Sequence, residues 1–80
     1  MEPYIGTVQL FAINYVPRGW TACEGQLLPI SSNQQLFVLI GNRFGGDGRT
    51  NFALPNLKGK EPVNGLQYCI AVQGVFPPRQ

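Results

Sequence analysis

The sequence predicts a small α+β fold, mainly β with one short α-helix, that forms a single compact domain over residues 1–80. Three observations lead to this fold class. Ten glycines and seven prolines indicate many turns between short elements. Apolar residues recur with a period of two near both ends of the chain, which is typical of strands. A helical apolar stripe is found only in the stretch that begins near residue 32.

The first strand is predicted over residues 4–13, YIGTVQLFAI. One alternate set of its side chains is mostly apolar and is expected to be wholly buried, whereas the other set is mixed and is expected to be partly covered. Residues 14–19 predict a turn and residues 20–23 a short strand. A tight reversal is expected at Glu24 and Gly25, because glycine adopts positive φ without steric cost. The buried set consists of Gly6, Val8, Leu10 and Ala12.

The predicted helix begins in the sequence SSNQQ at residues 31–35. Ser32 and Gln35 have the spacing of a capping box, in which each side chain bonds to the backbone N–H of the other residue. Gly41 is expected to end the helix after about two to three turns. The apolar stripe consists of Leu36, Phe37, Leu39 and Ile40.

The second half of the chain has no helical period. Residues 45–65 contain Gly, Asn or Pro every few positions and predict a loop with short extended pieces at residues 52–54 and at Leu57. Residues 66–76, LQYCIAVQGVF, predict the last strand. We expect the first and last strands to lie in one sheet. Both are apolar on more than one face, which indicates a central position or coverage by a neighbour.

Composition limits the function classes. Charged residues make up 12% of the chain, about half of the usual share of roughly 25%. A shortage of surface charge indicates a homo-oligomer, either a trimer or an extended assembly, in which other copies cover part of the surface. The six basic residues are scattered, which argues against a nucleic-acid partner. No apolar run approaches 18 residues, so no membrane span is expected, and residues 1–10 lack the pattern of a signal peptide.

The segment GGDGRTNFALPNLKGK at residues 45–60 is the main candidate for a site. A phosphate-binding P-loop would need lysine where Arg49 stands and a following helix, which Pro55 forbids. A calcium loop would need several carboxylates and a glutamate at its twelfth position, but Asp47 is alone and position 58 is lysine. A structural turn is therefore the preferred interpretation.

In this interpretation the glycines let the chain fold back, and Asp47 bonds to backbone N–H groups ahead of it. Arg49 or Arg43 is expected to pair with the Asp47 carboxylate. Phe52 and Leu54 are expected to anchor the loop in the core, and Pro55 to fix φ at its exit. The predicted structural loop consists of Gly45, Gly46, Asp47, Gly48, Arg49, Phe52, Leu54 and Pro55.

Other side chains offer little catalytic chemistry. Histidine, the commonest general base and a frequent metal ligand, is absent. Cys23 and Cys69 lack a histidine partner and are expected to be buried thiols or, alternatively, to form a disulfide with each other. Glu24 and Glu61 are expected to be solvated or to bond within turns. We therefore expect no catalytic residue, no metal and no cofactor.

Most aromatic side chains are expected in the core, and Tyr15 is the first candidate for an exposed ring that contacts a ligand. The aromatic residues considered are Phe11, Tyr15, Trp20, Phe37, Phe44, Phe52, Tyr68 and Phe76.

Five segments of the sequence form a recognisable combination: GTVQLFA at 6–12, PRGW at 17–20, CEGQLLPI at 23–30, FGGDGRT at 44–50 and FALPNLKG at 52–59. Together they resemble the phage tail-collar domain, a family that includes the tips of short tail fibres and the bacterial microcystin-dependent proteins. Residues 68–77, YCIAVQGVFP, are similar to the terminal strand of the bacterial members. The resemblance covers nearly the whole chain.

The resemblance implies a non-enzymatic structural subunit of a phage-tail-like particle or of a bacterial surface or filament assembly. Longer members carry a polar middle segment, often with histidines, where this chain has only KEPVNG at residues 60–65. The histidine metal site of tail-fibre tips is therefore not implied here. The alternative function is a module that binds surface glycans or a receptor through exposed aromatic side chains.

Overall fold

The computed structural model describes residues 2–78 and confirms the predicted fold class, in which short strands predominate over one short helix. The elements follow in the order β1 (Val8–Phe11), β2 (Trp20–Ala22), β3 (Leu27–Pro29), a 3₁₀ turn (Ile30–Ser32), α1 (Gln34–Ile40), β4 (Asn51–Ala53) and β5 (Gln67–Ala71).

The first and last strands lie in one sheet, as predicted. This sheet has the order β1-β5-β2, and β5 runs antiparallel to both neighbours. Val8 is opposite Ile70, and Trp20 is opposite Ala71. A central position or coverage by a neighbour was expected for both strands. Strand β5 occupies the central position, and β1 lies at an edge.

The strand predicted over residues 4–13 is interrupted at Gly6. The Thr7 N–H donates to the Tyr4 carbonyl at 3.1 Å, and Gly6 has φ +91°, so residues 4–7 form a turn. The Gly6 N–H donates to the Ala71 carbonyl, and the Ala71 N–H donates to the Thr7 carbonyl, both at 2.9 Å. Two residues thus oppose one, which is a β-bulge, and the strand proper begins only at Val8.

The expectation of a wholly buried face on this strand is wrong. The Val8 side chain is 40% exposed and Leu10 is half-buried, and neither belongs to the core cluster. The edge position is the reason, because an edge strand has a sheet neighbour on one side only. On the central strand, by contrast, Cys69, Ile70 and Ala71 are buried although they point to alternate faces.

The last strand is also shorter than the predicted 66–76, because it ends at Ala71. Beyond it, the Val75 N–H donates to the Pro3 carbonyl at 2.9 Å, and Tyr4 forms a parallel bridge with Val75. Gly74 has φ +145°, and its position lies so close to the Pro3 carbonyl that a Cβ would lie 2.2 Å from the oxygen. The chain therefore leaves the central strand to meet the N-terminal segment.

A second, two-stranded sheet pairs β3 with β4 antiparallel, and Leu28 is opposite Phe52. Strand β4 confirms the extended piece predicted near residues 52–54. The tight reversal predicted at Glu24 and Gly25 is wrong, although Gly25 has φ +77°. Glu24 bridges Asn56 in the same register in which β3 pairs with β4, so the chain runs on from one sheet into the other without turning back. At Leu57, the other predicted piece, the chain is half-buried against the core but forms no strand.

The helix confirms the predicted stripe and its end at Gly41, whose N–H donates to the Phe37 carbonyl. The predicted capping box is wrong, because Ser32 lies in the 3₁₀ turn and the helix N-cap is Asn33. The Asn33 side chain makes no capping bond, since its Nδ2 donates backwards to the Pro29 carbonyl at 2.9 Å.

The core lies between α1 and the two sheets. Phe37, Leu39 and Ile40 of the helix pack against its buried members, and Phe37 and Phe52 have ring centroids 5.4 Å apart. Within residues 2–78, no helix has the length and apolar character needed to cross a membrane. The buried cluster consists of Ile5, Cys23, Leu36, Phe52, Leu54 and Ile70.

Candidate functional site

The glycine loop, defined here as residues 45–51, leads from the segment after α1 into β4. Gly46 and Gly48 have φ +90° and +72°, which is the left-handed region. A Cβ at Gly46 would lie 2.6 Å from the Phe52 Cα, and one at Gly48 would lie 2.8 Å from the Asn42 Nδ2. The close approach to the Phe52 backbone therefore requires glycine at position 46, whereas at position 48 glycine is favoured by the positive φ.

The Asp47 carboxylate lies at the centre of the loop. Its Oδ1 accepts the backbone N–H groups of Arg49 at 2.8 Å, Thr50 at 2.9 Å and Asn51 at 3.1 Å. Its Oδ2 accepts the Thr50 hydroxyl at 2.8 Å. Asn51 returns a bond, because its Oδ1 accepts the Asp47 N–H at 3.0 Å.

These donors hold the pKa of the Asp47 carboxyl well below its usual range, because they stabilise the charged form. The backbone N–H of Arg49 has the largest effect, followed by those of Thr50 and Asn51 and then the Thr50 hydroxyl. The carboxylate is thus ionised at neutral pH, and both of its oxygens already accept hydrogen bonds. A single carboxylate that four loop donors already share is a weak cation ligand, and a phosphate would be repelled by its negative charge.

The residues after the loop are buried. Phe52 and Leu54 have no exposed surface, and Pro55 is also buried. The Ala53 N–H donates to the Gly45 carbonyl at 3.0 Å, so the first loop residue is bonded to β4. Strand β4 begins where a phosphate-binding loop would open a helix, which favours the structural-turn interpretation.

The expected ion pair at Asp47 is absent from residues 2–78. The Asp47 carboxylate bonds to the backbone and hydroxyl groups of residues 49–51, and Arg49 contributes its main-chain N–H to it. The Arg43 side chain points elsewhere, because its Nε–H donates to the Ile40 carbonyl at 3.2 Å, at the end of α1. In the same part of the chain, no group of three His, Cys, Asp or Glu side chains could hold a metal ion.

The family model of the phage tail collar domain matches residues 6–62, more than half of the chain, and the matched part includes β1 to β4, the helix and the whole glycine loop. The chain belongs to the phage tail collar domain family. This match confirms the resemblance seen in the sequence, and the tail collar domain is a structural family. No curated protein and no solved structure matches the chain significantly.

The central strand β5 lies outside the residues matched to the collar domain, and it carries the second cysteine. Cys23 and Cys69 are both buried free thiols. Cys69 is opposite Ala22, whereas the Cys23 N–H donates to the Tyr68 carbonyl at 3.0 Å. Because this one-residue offset puts the two sulfurs on opposite faces of the sheet, the register opposes the disulfide alternative.

Burial raises the pKa of the Cys23 thiol to about 11, and the nearby Cys69 adds to the effect. Burial also raises the pKa of Cys69, with a smaller contribution from Glu24. Both groups are therefore protonated at neutral pH, and a protonated buried thiol is a poor nucleophile.

The face of the three-stranded sheet opposite the core is covered by an aromatic pair. The register places Phe11 and Trp20, from the two outer strands, on the same face as Cys69 and Ala71 of the central strand. The two rings meet edge to face with centroids 4.9 Å apart. Small side chains at positions 69 and 71 leave room for this contact over β5.

Gln67 positions the connection between β1 and β2, and it was not predicted as a site residue. Its Nε2 donates to the carbonyl oxygens of Ile13 at 3.1 Å and Tyr15 at 3.0 Å. The Tyr15 side chain is 63% exposed, which confirms its predicted exposure. No local signal marks Gln67, because only the pairing of β5 with β1 brings it to residues 13–15.

The other aromatic and acidic side chains differ in outcome. Most aromatic side chains were expected in the core, but Phe44 and Phe76 are exposed in addition to Tyr15, and Phe11, Trp20 and Tyr68 are half-buried. The Glu61 Oε1 accepts the Gly59 N–H at 3.0 Å, which is a bond within a turn, as expected.

Proposed function

We propose that the chain is a non-enzymatic structural subunit that assembles with copies of itself, as a trimer or an extended array. The setting that the family supports is a phage-tail-like particle, and a bacterial surface or filament assembly is the other setting we propose. The observation that carries the proposal is the collar-family match over residues 6–62.

The surface supports self-association. Within residues 2–78, 11 large apolar side chains are exposed, whereas the entire chain has only ten charged residues, six basic and four acidic. A small protein that remains a monomer normally keeps its surface charged. The exposed apolar side chains include Val8 on β1 and Leu27 on β3. Contacts between copies would remove such side chains from water, which is favourable in proportion to the area buried.

The glycine loop supports a structural role. Its carboxylate oxygens accept four hydrogen bonds from donors of the same loop, which is the use that a turn-forming aspartate makes of its side chain. We propose that the loop fixes the path of the chain from α1 into β4, with Phe52, Leu54 and Pro55 as its anchor in the core.

Light scattering coupled to gel filtration tests the proposed assembly. We expect a mass well above the 8.8 kDa of one chain at micromolar concentration, and particles, rings or fibres in electron micrographs. The mass is expected to persist at high ionic strength, because apolar contacts are not screened by salt. A mass of 8.8 kDa from micromolar to millimolar concentration would contradict self-assembly.

A second candidate function, binding of a surface glycan, is favoured by the exposed ring of Tyr15 on a connection that Gln67 bonds in place. An aromatic face on a fixed backbone is a suitable platform for a sugar ring. Glycan-array binding is expected to disappear in Tyr15→Ala and to persist in Phe44→Ala, whose ring is 47% exposed elsewhere. Equal binding by both variants, or no binding by the wild type, would remove this candidate.

A further inference from the structure

The outer edge of β1 carries backbone groups that have no partner within residues 2–78. The Ala71 N–H donates to the Thr7 carbonyl, and the antiparallel register then directs the N–H and C=O groups of Gln9 and Phe11 towards β5. The alternate residues, Val8 and Leu10, direct theirs away from β5. No hydrogen bond is formed to the main chain of either residue in the described part of the protein.

The outer edges of β2 and β3 are partly occupied by local groups. On β2, the Trp20 N–H donates within a turn, and the Ala22 carbonyl accepts the Gln26 Nε2 at 2.7 Å. On β3, Pro29 has no N–H to offer, and its carbonyl accepts the Asn33 Nδ2 at 2.9 Å. These bonds hinder the approach of another strand, although the outward N–H and C=O groups of Leu27 on β3 have no partner within residues 2–78.

The outer edge of β4 is occupied by the glycine loop. The Asn51 N–H donates to the Asp47 Oδ1, and the Asn51 carbonyl accepts the Gly48 N–H at 3.0 Å. Two residues further along, the Ala53 N–H donates to the Gly45 carbonyl at 3.0 Å. Of the four outer strand edges in residues 2–78, only that of β1 is left without covering bonds.

The β1 edge also lacks the side chains that usually protect an exposed strand. Its sequence, VQLF, has no charge and no proline, and both are common protections against pairing with another chain. Val8 and Leu10 lie on the same face as Ile70 and Tyr68, but they remain outside the core cluster. The edge therefore combines free backbone groups with apolar side chains that the fold itself does not bury.

We propose that β1 pairs antiparallel with β1 of a second copy, across a two-fold axis at Gln9. The proposal rests on the self-assembly argued above and names the surface through which two copies meet. Val8 of each copy would face Leu10 of the other, so the outward N–H and C=O groups of one strand meet their complements on the other. An uncharged strand brings no like-charge repulsion to this pairing.

The two sheets would thereby join into one with the order β2-β5-β1-β1-β5-β2. Its new outer edges are those of β2, where the Trp20 N–H and the Ala22 carbonyl are already bonded, so this contact joins two copies and does not extend further. Any assembly that uses it contains an even number of chains. A larger array would need a second contact surface, so of the two assemblies proposed above this contact is compatible with the extended array and not with a trimer.

Two variants test the contact by light scattering. Leu10→Pro removes an outward N–H that the ladder to β5 does not use, and proline is tolerated at such an edge position. Val8→Lys places a charge on the edge, and the matched control Val38→Lys places one on α1, where Val38 is 70% exposed. We expect at least a twofold loss of assembled mass in the first two variants and none in the control. Far-ultraviolet circular dichroism checks that each variant is folded.

Amide hydrogen exchange on the wild type gives a readout that needs no substitution. The Val8 and Leu10 amides are expected to exchange at least tenfold more slowly at high protein concentration than after dilution, whereas the Gln9 amide, already bonded to β5, should change little. If the wild type is oligomeric but both edge variants keep its mass, or if it is a trimer, the β1 contact is overturned and self-assembly stands. A wild type that stays monomeric overturns both the β1 contact and self-assembly. The β1 edge would then be open to a strand of another protein.

Discussion

Replacing Gly46 with alanine tests whether steric need sets the path of the glycine loop. Gly46 has φ +90°, where an L side chain costs roughly 1–2 kcal/mol. The added Cβ would also lie 2.6 Å from the Cα of Phe52, and because this atom is buried backbone, relief of the overlap costs roughly a further 1–3 kcal/mol. The total of about 2–5 kcal/mol is large against the roughly 4–12 kcal/mol expected for a chain of this length.

Thermal unfolding followed by circular dichroism measures this loss. A domain of this size loses about 4–8 °C per kcal/mol, so the Tm is expected to fall by at least about 8 °C. Gly59→Ala is the matched control, because Gly59 has φ +86° but a Cβ there meets nothing within 4 Å. The effect of alanine on the unfolded chain is common to both variants. A Tm for Gly46→Ala equal to that of Gly59→Ala would refute the steric reasoning.

Two titrating groups give predictions with opposite pH dependence. The folded-state pKa of Asp47 lies below its ordinary 3.8, so its stabilising effect is complete above that value and is lost as the pH falls further. The free energy of unfolding measured in urea should therefore fall more steeply below roughly pH 5 for the wild type than for Asp47→Asn. Parallel pH dependences of the two proteins would contradict this. The pKa of Cys23 is raised from 9.0 to about 11, so the contribution of its protonated thiol to stability is complete below pH 9 and is lost towards pH 11. The loss of stability at alkaline pH should be smaller in Cys23→Ser than in the wild type. An unchanged loss would mean that other titrating groups cause it.

Local sequence predicted the elements whose cause is local. The stripe of α1 follows from apolar residues at helical spacing, and its end follows from the positive φ of Gly41, +60°. The start of the helix was wrong, because the Asn33 side chain bonds backwards to Pro29 and residues 30–32 form a 3₁₀ turn. Several polar residues in SSNQQ compete for the cap, and their spacing alone does not decide between them.

The candidate site likewise has features that local sequence predicts and features that it does not predict. The bonds of Asp47 to the N–H groups ahead of it were predictable, because an aspartate before glycine commonly closes such a turn. The separation of Cys23 from Cys69, the bonds of Gln67 and the free edge of β1 were not predictable. Each depends on which strand pairs with β5 and in which register, and two strands that are both apolar on more than one face do not reveal which of them is central.

The uncovered edge of β1 is not a consequence of a strand too short to need protection. Strand β1 has four residues, whereas each of the three covered strands, β2, β3 and β4, has three. Short edges are the least able to recruit another chain, so a protein that avoids pairing with other chains needs covering groups most on its longest outer strand. The opposite is found, since Gln26, Asn33 and Asp47 all cover the shorter strands. In a chain that belongs to a structural family and carries little charge, the edge left open on the longest outer strand is where a neighbouring copy can add most hydrogen bonds.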